Sequence, residues 1–180
     1  LASKLSTTSL NPFARTATAS RAAERRQFPI TGCHSPLTTA EFAVMIAVPR
    51  VELALRNCFS NNEGVRDEQI AALASLLQTS KTLKTLELAN CRIGDKDTTE
   101  IAEALRSGTA AVLTSLALQR NSIGPKGAQA MAKALSGNAV LKELNLRQNR
   151  LAAEGGKALA EALAVNGVLT DLNLGGNKLG

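Results

Sequence analysis

Leucines recur along this chain in a fixed eleven-residue pattern, L-x-x-L-x-L-x-x-N/C-x-L/I. Four copies follow it in register: "LKTLELANCRI" (83–93), "LTSLALQRNSI" (113–123), "LKELNLRQNRL" (141–151) and "LTDLNLGGNKL" (169–179). A fifth and weaker copy, "RVELALRNCFS" (50–60), has Arg50 and Ser60 at its outer apolar positions. In the L-x-L centre of each copy, the two leucines lie on the same side of an extended chain. Each copy therefore predicts a short strand with one buried face.

A helical pattern follows the strands of the inner copies. After the copy that begins at Leu113, the side chains of Ala128, Met131, Ala132 and Leu135 follow the spacing i, i+3, i+4, i+7. This spacing forms one apolar face of a helix. The neighbouring units keep most of this stripe, so strands and helices are predicted to alternate along the chain.

The strand–helix unit repeats at a constant interval, since Leu113, Leu141 and Leu169 are spaced by 28 and 28 residues. One unit alone cannot bury both its leucines and its helical stripe. Burial of a large apolar side chain contributes about 1.5–3 kcal/mol, whereas ordering the chain costs about 1.5 kcal/mol per residue. Stacked units cover each other's apolar faces. The repeats therefore predict a curved solenoid, with a parallel sheet inside and helices outside.

The motif resembles the leucine-rich repeat, specifically the 28-residue α/β class of ribonuclease inhibitor, the C-terminal repeats of NOD-like receptors and the Ran GTPase-activating protein. The resemblance covers residues 50–180, as about four and a half repeats. It implies an α/β leucine-rich-repeat solenoid shaped as a horseshoe arc, with the parallel sheet on the concave face and helices on the convex face. Because Gly180 directly follows a predicted strand, we expect a truncated C-terminus and a solenoid that continues beyond it.

Two segments precede the repeats. Residues 1–36 are rich in Ser, Thr, Ala and Arg, with no acidic residue before Glu24. This composition is typical of an organellar transit peptide, and a disordered leader is the alternative. Residues 37–49 predict a capping helix that begins with a capping box, Thr38 and Glu41, and covers the first repeat. Apart from the possible targeting leader, we expect a cytoplasmic protein.

Charge and composition restrict the classes of partner. The formal net charge is +6, but residues 1–50 carry six basic residues against two acidic ones, so the repeats themselves are only slightly basic. We therefore expect no nucleic-acid partner. The longest apolar run, seven residues from Phe42 to Val48, is far shorter than the ~20 residues of a membrane span, so no membrane association is expected.

Few residues could support catalysis or hold a metal. The three cysteines have no metal-like spacing, which favours reduced thiols in a reducing compartment. His34 is the only histidine, and no phosphate-binding glycine loop occurs. A non-enzymatic protein without metal or cofactor is therefore predicted.

One column of the motif is predicted to be structural. Its members are Cys58, Cys91, Asn121, Asn149 and Asn177. The chain leaves the strand at this point with unpaired backbone groups, and a buried Asn amide can both donate to and accept from the adjacent loops. Cysteine is small, tolerates burial and donates weakly. The resemblance implies the same structural ladder.

The outward positions of the strands and of the turns after them are the candidate partner-binding residues, because they line the concave face. They are Glu87, Asn90, Arg92, Gln119, Arg120, Glu143, Asn145, Arg147, Gln148, Arg150, Asp171 and Asn173. Acidic residues come early in each unit and basic residues late. The alternative interpretation is an ordinary solvated face whose charges neutralise one another.

The sequence thus predicts a module for protein–protein interaction, a non-catalytic scaffold or receptor-type repeat segment that binds a protein on its concave face. The resemblance also offers an alternative function, a GTPase-activating-like regulator of a small Ran-type GTPase. The sequence does not identify the partner.

Overall fold

Strands and helices alternate through the folded part of the chain. The structure, a computed structural model, describes residues 37–47, 49, 51–107 and 112–180. The hypotheses for residues 1–36 therefore lie outside the described residues. The elements in chain order are α1 (Thr39–Ile46), β1 (Glu52–Ala54), α2 (Glu63–Thr79), β2 (Thr85–Glu87), α3 (Asp95–Ser107), β3 (Ser115–Ala117), α4 (Pro125–Leu135), β4 (Glu143–Asn145), α5 (Ala152–Leu163) and β5 (Asp171–Asn173).

The five strands form one parallel sheet in the order β1-β2-β3-β4-β5. The central leucine of each strand pairs with its equivalent on the next: Leu53, Leu86, Leu116, Leu144 and Leu172. This register brings equivalent positions of successive repeats side by side. The predicted α/β solenoid with a parallel sheet is confirmed.

The core lies between the sheet and the helices. In the third repeat, Leu116 and Leu118 from the strand side and Met131 and Leu135 from α4 are all fully or almost fully buried. The predicted helical stripe therefore packs on the predicted strand face.

The spacing of the two layers gives the array its curvature. Adjacent strands lie about 4.7–4.9 Å apart, whereas packed helices lie about 8–10 Å apart. Stacking therefore bends the array towards the sheet and makes its free side concave. We call this side, which is opposite the helices, the open face.

Small residues allow the helices to approach one another. A Cβ at Gly155 in α5 would lie 2.8 Å from Cβ of Ala128 in α4, closer than two carbons can pack. The glycine therefore lets these two helices pack at a distance that a larger residue would prevent.

Helix α1 lies against the first repeat. The backbone N–H of Thr38 donates to Oε2 of Glu41 at 3.0 Å, and the N–H of Glu41 donates to Oγ1 of Thr38 at 3.3 Å. Phe42 is fully buried and meets Phe59 edge to face at a ring-centroid distance of 5.2 Å. Val44 is exposed, so the apolar residues of this helix do not all contact the repeats.

The last strand, β5, lies at the other end of the sheet. Its leucines, Leu172 and Leu174, are half-buried, whereas the equivalent Leu144 and Leu146 in the preceding repeat are buried. Each inner repeat is thus covered by two neighbours and the β5 repeat by one. Continuation of the solenoid beyond Gly180 stays a prediction.

The cysteines differ from expectation at one position. Cys91 is a buried free thiol, but Cys58 is disulfide-bonded. The expectation of reduced thiols at both positions was wrong for Cys58.

Candidate functional site

A column of buried side chains fixes the loops beside the open face. The Oδ1 atom of Asn121 accepts from the backbone N–H of Cys91 at 2.9 Å and of Ile93 at 3.1 Å, both in the preceding repeat. Its Nδ2 atom donates to the carbonyl oxygens of Leu88 at 2.8 Å and Leu118 at 2.9 Å. One amide thus satisfies four backbone groups from two repeats.

The next amides repeat this arrangement. Nδ2 of Asn149 donates to the carbonyl oxygens of Leu118 at 2.9 Å and Leu146 at 3.0 Å. Nδ2 of Asn177 donates to Leu146 and Leu174, both at 2.8 Å. A buried carbonyl without a hydrogen-bond partner lowers the free energy of unfolding. The asparagine column therefore stabilises the fold and holds the exposed loops in place.

Cys91 occupies the same column in the second repeat. Its thiol donates to the carbonyl oxygen of Leu55, with Sγ 2.6 Å from the oxygen. Burial raises the pKa of the Cys91 thiol from 9.0 to about 12, because the thiolate would lose its solvation. The neutral thiol is thus a poor nucleophile that serves as a donor between repeats.

The residue before each ladder position has a left-handed backbone. Asn57, Asn90, Arg120, Gln148 and Gly176 have φ values of 57°, 56°, 59°, 56° and 75°. Such values are uncommon for residues other than glycine. Their recurrence at one position shows that the turn is imposed by the repeat and that it aims each side chain in a defined direction.

In the first repeats, the charges of the open face pair with one another. The guanidinium of Arg56 donates to Glu87 through Nε and Nη2, both at 2.8 Å. The hydrogen bond to Glu87 and its charge raise the pKa of the Arg56 guanidinium. Nε2 of Gln119 also donates to Glu87, at 3.1 Å. The Glu87 carboxylate is therefore largely satisfied within the molecule.

Two further contacts cross between repeats. Nδ2 of Asn90 donates to Oδ1 of Asn57 at 2.6 Å, and Nε of Arg120 donates to Oε1 of Gln148 at 2.9 Å. Sequence reasoning missed Arg56 and Asn57, which belong to the weak first copy of the motif. Their register with later candidates, Asn57 with Asn90 for example, is the signal that could have identified them.

On the open face of the later repeats, four charged side chains have no ion-pair partner among the described residues. Glu143, Arg147, Arg150 and Asp171 are exposed, and none of them belongs to an ion pair among the described residues. Arg92 is exposed as well and also unpaired within that part of the chain. The open face thus changes from an internally neutralised region to one with free charges.

Two of the candidate partner-binding residues, Asn145 and Asn173, accept hydrogen bonds from nearby backbone N–H groups. Oδ1 of Asn145 accepts from the N–H of Arg147 at 3.0 Å, and Oδ1 of Asn173 accepts from the N–H of Gly175 at 3.1 Å. Both side chains support the turn that follows their strand. Their Nδ2 donors remain on the open face.

A comparison with family profiles identifies the repeat. A leucine-rich-repeat family profile matches residues 79–102, 110–132 and 137–160. The chain contains leucine-rich repeats.

Two solved structures are similar to the leucine-rich-repeat chain. One, described as leiomodin-1 actin-binding site 2, has a TM-score of 0.63 and 24% identity, over 78% of this chain and 80% of that one. The other, the tropomodulin C-terminal domain of Caenorhabditis elegans, has a TM-score of 0.61 and 17% identity, over 76% and 81%. At these identities the similarity establishes the fold. No protein with a curated description matches the sequence.

Leucine-rich repeats are protein-binding modules, and such domains are typically non-enzymatic. In the described part of the chain, no helix is both long and apolar enough to cross a membrane. The same residues contain no group of three or more His, Cys, Asp or Glu side chains arranged to hold a metal ion.

Proposed function

We propose that this leucine-rich-repeat chain binds a protein partner on the open face of its sheet. The observation that carries the proposal is the set of unpaired exposed charges at Glu143, Arg147, Arg150 and Asp171, on a face whose backbone is fixed by buried amides. Rigid presentation lowers the entropy cost of binding, because the backbone that carries these side chains is already held in place.

A pull-down with two matched triple variants tests this proposal. The open-face variant combines Glu143→Ala, Arg147→Ala and Arg150→Ala. The control combines Glu103→Ala, Lys126→Ala and Lys133→Ala, which are exposed positions on helices α3 and α4. Both variants remove one acidic and two basic side chains, so they change the net charge equally.

We expect proteins captured by the wild-type chain to be retained by the helix control and lost by the open-face variant. Capture by the open-face variant at the wild-type level, with loss by the helix control, would place binding on the helical side instead. Circular dichroism of both variants shows whether the fold is unchanged.

Actin is the first individual protein to test, because one similar structure is described as an actin-binding site. Co-sedimentation with filamentous actin, and gel filtration with monomeric actin, measure this binding directly. Binding that weakens in the open-face variant supports actin as the partner. If neither assay detects binding, actin is excluded as the partner. The open-face proposal is then decided by the pull-down.

Regulation of a small Ran-type GTPase is the alternative that the sequence resemblance implies. Its readout is the rate of GTP hydrolysis by purified Ran with and without this chain. Acceleration that is lost in the open-face variant supports it, and an unchanged rate removes it.

A further inference from the structure

Five cationic side chains lie along the C-terminal edge of the sheet, where the strands pass into the ladder turns. We call this set the basic edge: Arg92, Arg120, Arg147, Arg150 and Lys178. All five are exposed. They recur at equivalent points, since Arg92, Arg150 and Lys178 each follow a ladder residue directly. Stacking of the repeats therefore gathers them into one stripe.

No acidic side chain within the described residues pairs with the basic edge. The four ion pairs found there involve other cations. Two nearby acids already serve the backbone: Asp95 accepts from the N–H groups of Gly124 and Gly127, and Asp97 accepts from the N–H of Gly94 at 2.9 Å. Each cation of the basic edge therefore keeps its guanidinium or ammonium group without a carboxylate partner among the described residues.

On the open face, Glu87 is paired with Arg56, and Glu143 and Asp171 are too distant to neutralise the basic edge. Glu143 and Asp171 lie at the beginning of their strands, four residues before Arg147 and Gly175. At about 3.3 Å per residue this is about 13 Å along an extended chain. Exposed charges further apart than about 8–10 Å are largely screened at physiological ionic strength. Lys142 directly precedes Glu143 in the chain.

The helices contribute less to the potential of the basic edge. Because each helix follows its strand directly, α3, α4 and α5 begin near the cations, and the N-terminus of a helix carries a partial positive charge. Acidic side chains in the first turns, Asp95 and Asp97 in α3 and Glu154 in α5, offset this partial charge. The positive charge of the edge therefore comes from its five cationic side chains.

The chemistry of the edge favours carboxylates on a protein. Four of its five members are arginines, whose planar guanidinium binds a carboxylate through two parallel hydrogen bonds. Binding of single-stranded nucleic acid uses aromatic side chains on which bases stack. The two phenylalanines of the described residues, Phe42 and Phe59, are buried.

We propose that the basic edge binds an acidic segment of the partner protein, so that the open face selects partners that present a run of Asp or Glu. This inference rests on the proposed function, because it assigns a chemistry to part of the same surface. It adds that affinity depends on salt and on the cations of one edge rather than on the whole face.

The test uses a fluorescein-labelled twelve-residue peptide of alternating Glu and Ser, read by fluorescence anisotropy against the full chain. The test variant is Arg147→Glu with Arg150→Glu, whose side chains make no hydrogen bond with the described residues. The matched control is Lys84→Glu with Lys142→Glu, which changes the net charge equally at the other edge of the sheet. A peptide with Gln in place of Glu and a twelve-nucleotide single-stranded DNA are the comparison ligands.

We expect the Glu peptide to bind and the Gln peptide not to bind. Affinity should fall at least about tenfold in the Arg147→Glu/Arg150→Glu variant, which corresponds to about 1.4 kcal/mol, because each substitution removes an ion pair and puts a like charge beside the acidic peptide. Affinity should change less than about threefold in the lysine control. Lys84 and Lys142 lie at the other end of the strands, further from the basic edge than the screening length, so their charges affect peptide binding only weakly. Affinity should also fall between 50 and 200 mM salt.

Other results overturn the inference. Equal loss in both variants would show a response to net charge alone, and tighter binding of the DNA would assign the edge to nucleic acid. No binding of the Glu peptide at 50 mM salt also overturns it. The pull-down separates these failures from that of the proposed function: if a partner is lost in the alanine triple variant but not in Arg147→Glu/Arg150→Glu, the open face binds without an acidic segment.

Discussion

The carboxylate of Asp95, in the first turn of α3, accepts a hydrogen bond from the backbone N–H of Gly127, in the first turn of the next helix, α4, at 2.8 Å. The same Oδ1 atom accepts from the N–H of Gly124 at 2.7 Å. Gly124 precedes α4 and has no side chain that could cap it. One repeat therefore supplies the N-terminal cap of the next.

Replacing this cap should destabilise the domain. We expect Asp95→Ala to lower the free energy of unfolding by about 1–2 kcal/mol, the usual value of a helix cap. Urea denaturation followed by circular dichroism measures the change. The exposed Glu161→Ala substitution in α5 is the control and should change stability by less than about 0.5 kcal/mol. Equal midpoints for Asp95→Ala and wild type would refute the capping role.

A methyl group at Gly127 should be more harmful than one at a glycine with space around it. A Cβ at Gly127 would lie 2.8 Å from both Oδ1 of Asp95 and Cγ2 of Ile123, whereas one at Gly137 has no atom within 4 Å. We expect Gly127→Ala to cost about 1–3 kcal/mol and Gly137→Ala to be neutral or slightly stabilising. Thermal and urea denaturation of both variants check the difference, and similar effects would contradict it.

Removal of a ladder amide should leave buried backbone groups without partners. Asn149→Ala removes the donor to the carbonyl oxygens of Leu118 and Leu146 and the acceptor of the Ile123 N–H, at a buried position. We expect a loss of about 2–4 kcal/mol, since each unsatisfied buried group costs about 1–3 kcal/mol and the structure relaxes in part. The measurement is the midpoint of urea denaturation, with the dependence of the unfolding free energy on urea concentration unchanged from wild type.

Asn173→Ala is the control for that substitution. The Asn173 side chain is exposed, and among the described residues it accepts only from the N–H of Gly175, which water can replace. Its effect should be below about 0.5 kcal/mol. A cost at Asn149 no larger than this would show that the ladder contributes little to stability.

The buried thiol of Cys91 predicts a specific dependence of stability on pH. Its pKa is about 12 in the folded chain, against 9.0 for an ordinary cysteine. Below pH 9 the thiol is neutral in both states and stability is unaffected. Above pH 9 the unfolded chain releases a proton that the folded chain retains, so stability falls by up to about 1.4 kcal/mol per pH unit until the folded thiol ionises.

The comparison with Cys91→Ala isolates this contribution from other alkaline effects. The free energy of unfolding, measured from pH 8 to pH 10.5, should fall more steeply for the wild type than for the variant above pH 9. The loss of the hydrogen bond to Leu55 shifts the variant equally at all pH values. Parallel curves over the range would contradict the shifted pKa.

The sequence predicted the repeating features well, because they depend on local spacing. The alternation at Leu116 and Leu118 predicts a strand with a buried face, and the Gly124-Pro125 pair marks the beginning of α4 where the structure has it. These signals act within a few residues, so they do not depend on the arrangement of other repeats.

Contacts between repeats could not be predicted in the same way. Asp95 meets Gly127 across 32 residues, and Arg56 meets Glu87 across 31. These contacts depend on the offset between neighbouring repeats and on side-chain rotamers. The motif determines neither of the two. The disulfide bond of Cys58 was missed for a related reason, since pairing depends on spatial proximity rather than on the number of cysteines.

The ladder of buried amides determines how far a change in one repeat affects the others. Each amide bonds only to its own repeat and the preceding one, as Asn177 does with Leu174 and Leu146. Coupling in such an array extends through nearest neighbours and weakens with every repeat that it crosses. A partner that engages the β4–β5 end of the open face is therefore coupled to the β1 end only through the repeats between them, so the effect of binding should be largest in the repeats that the partner contacts.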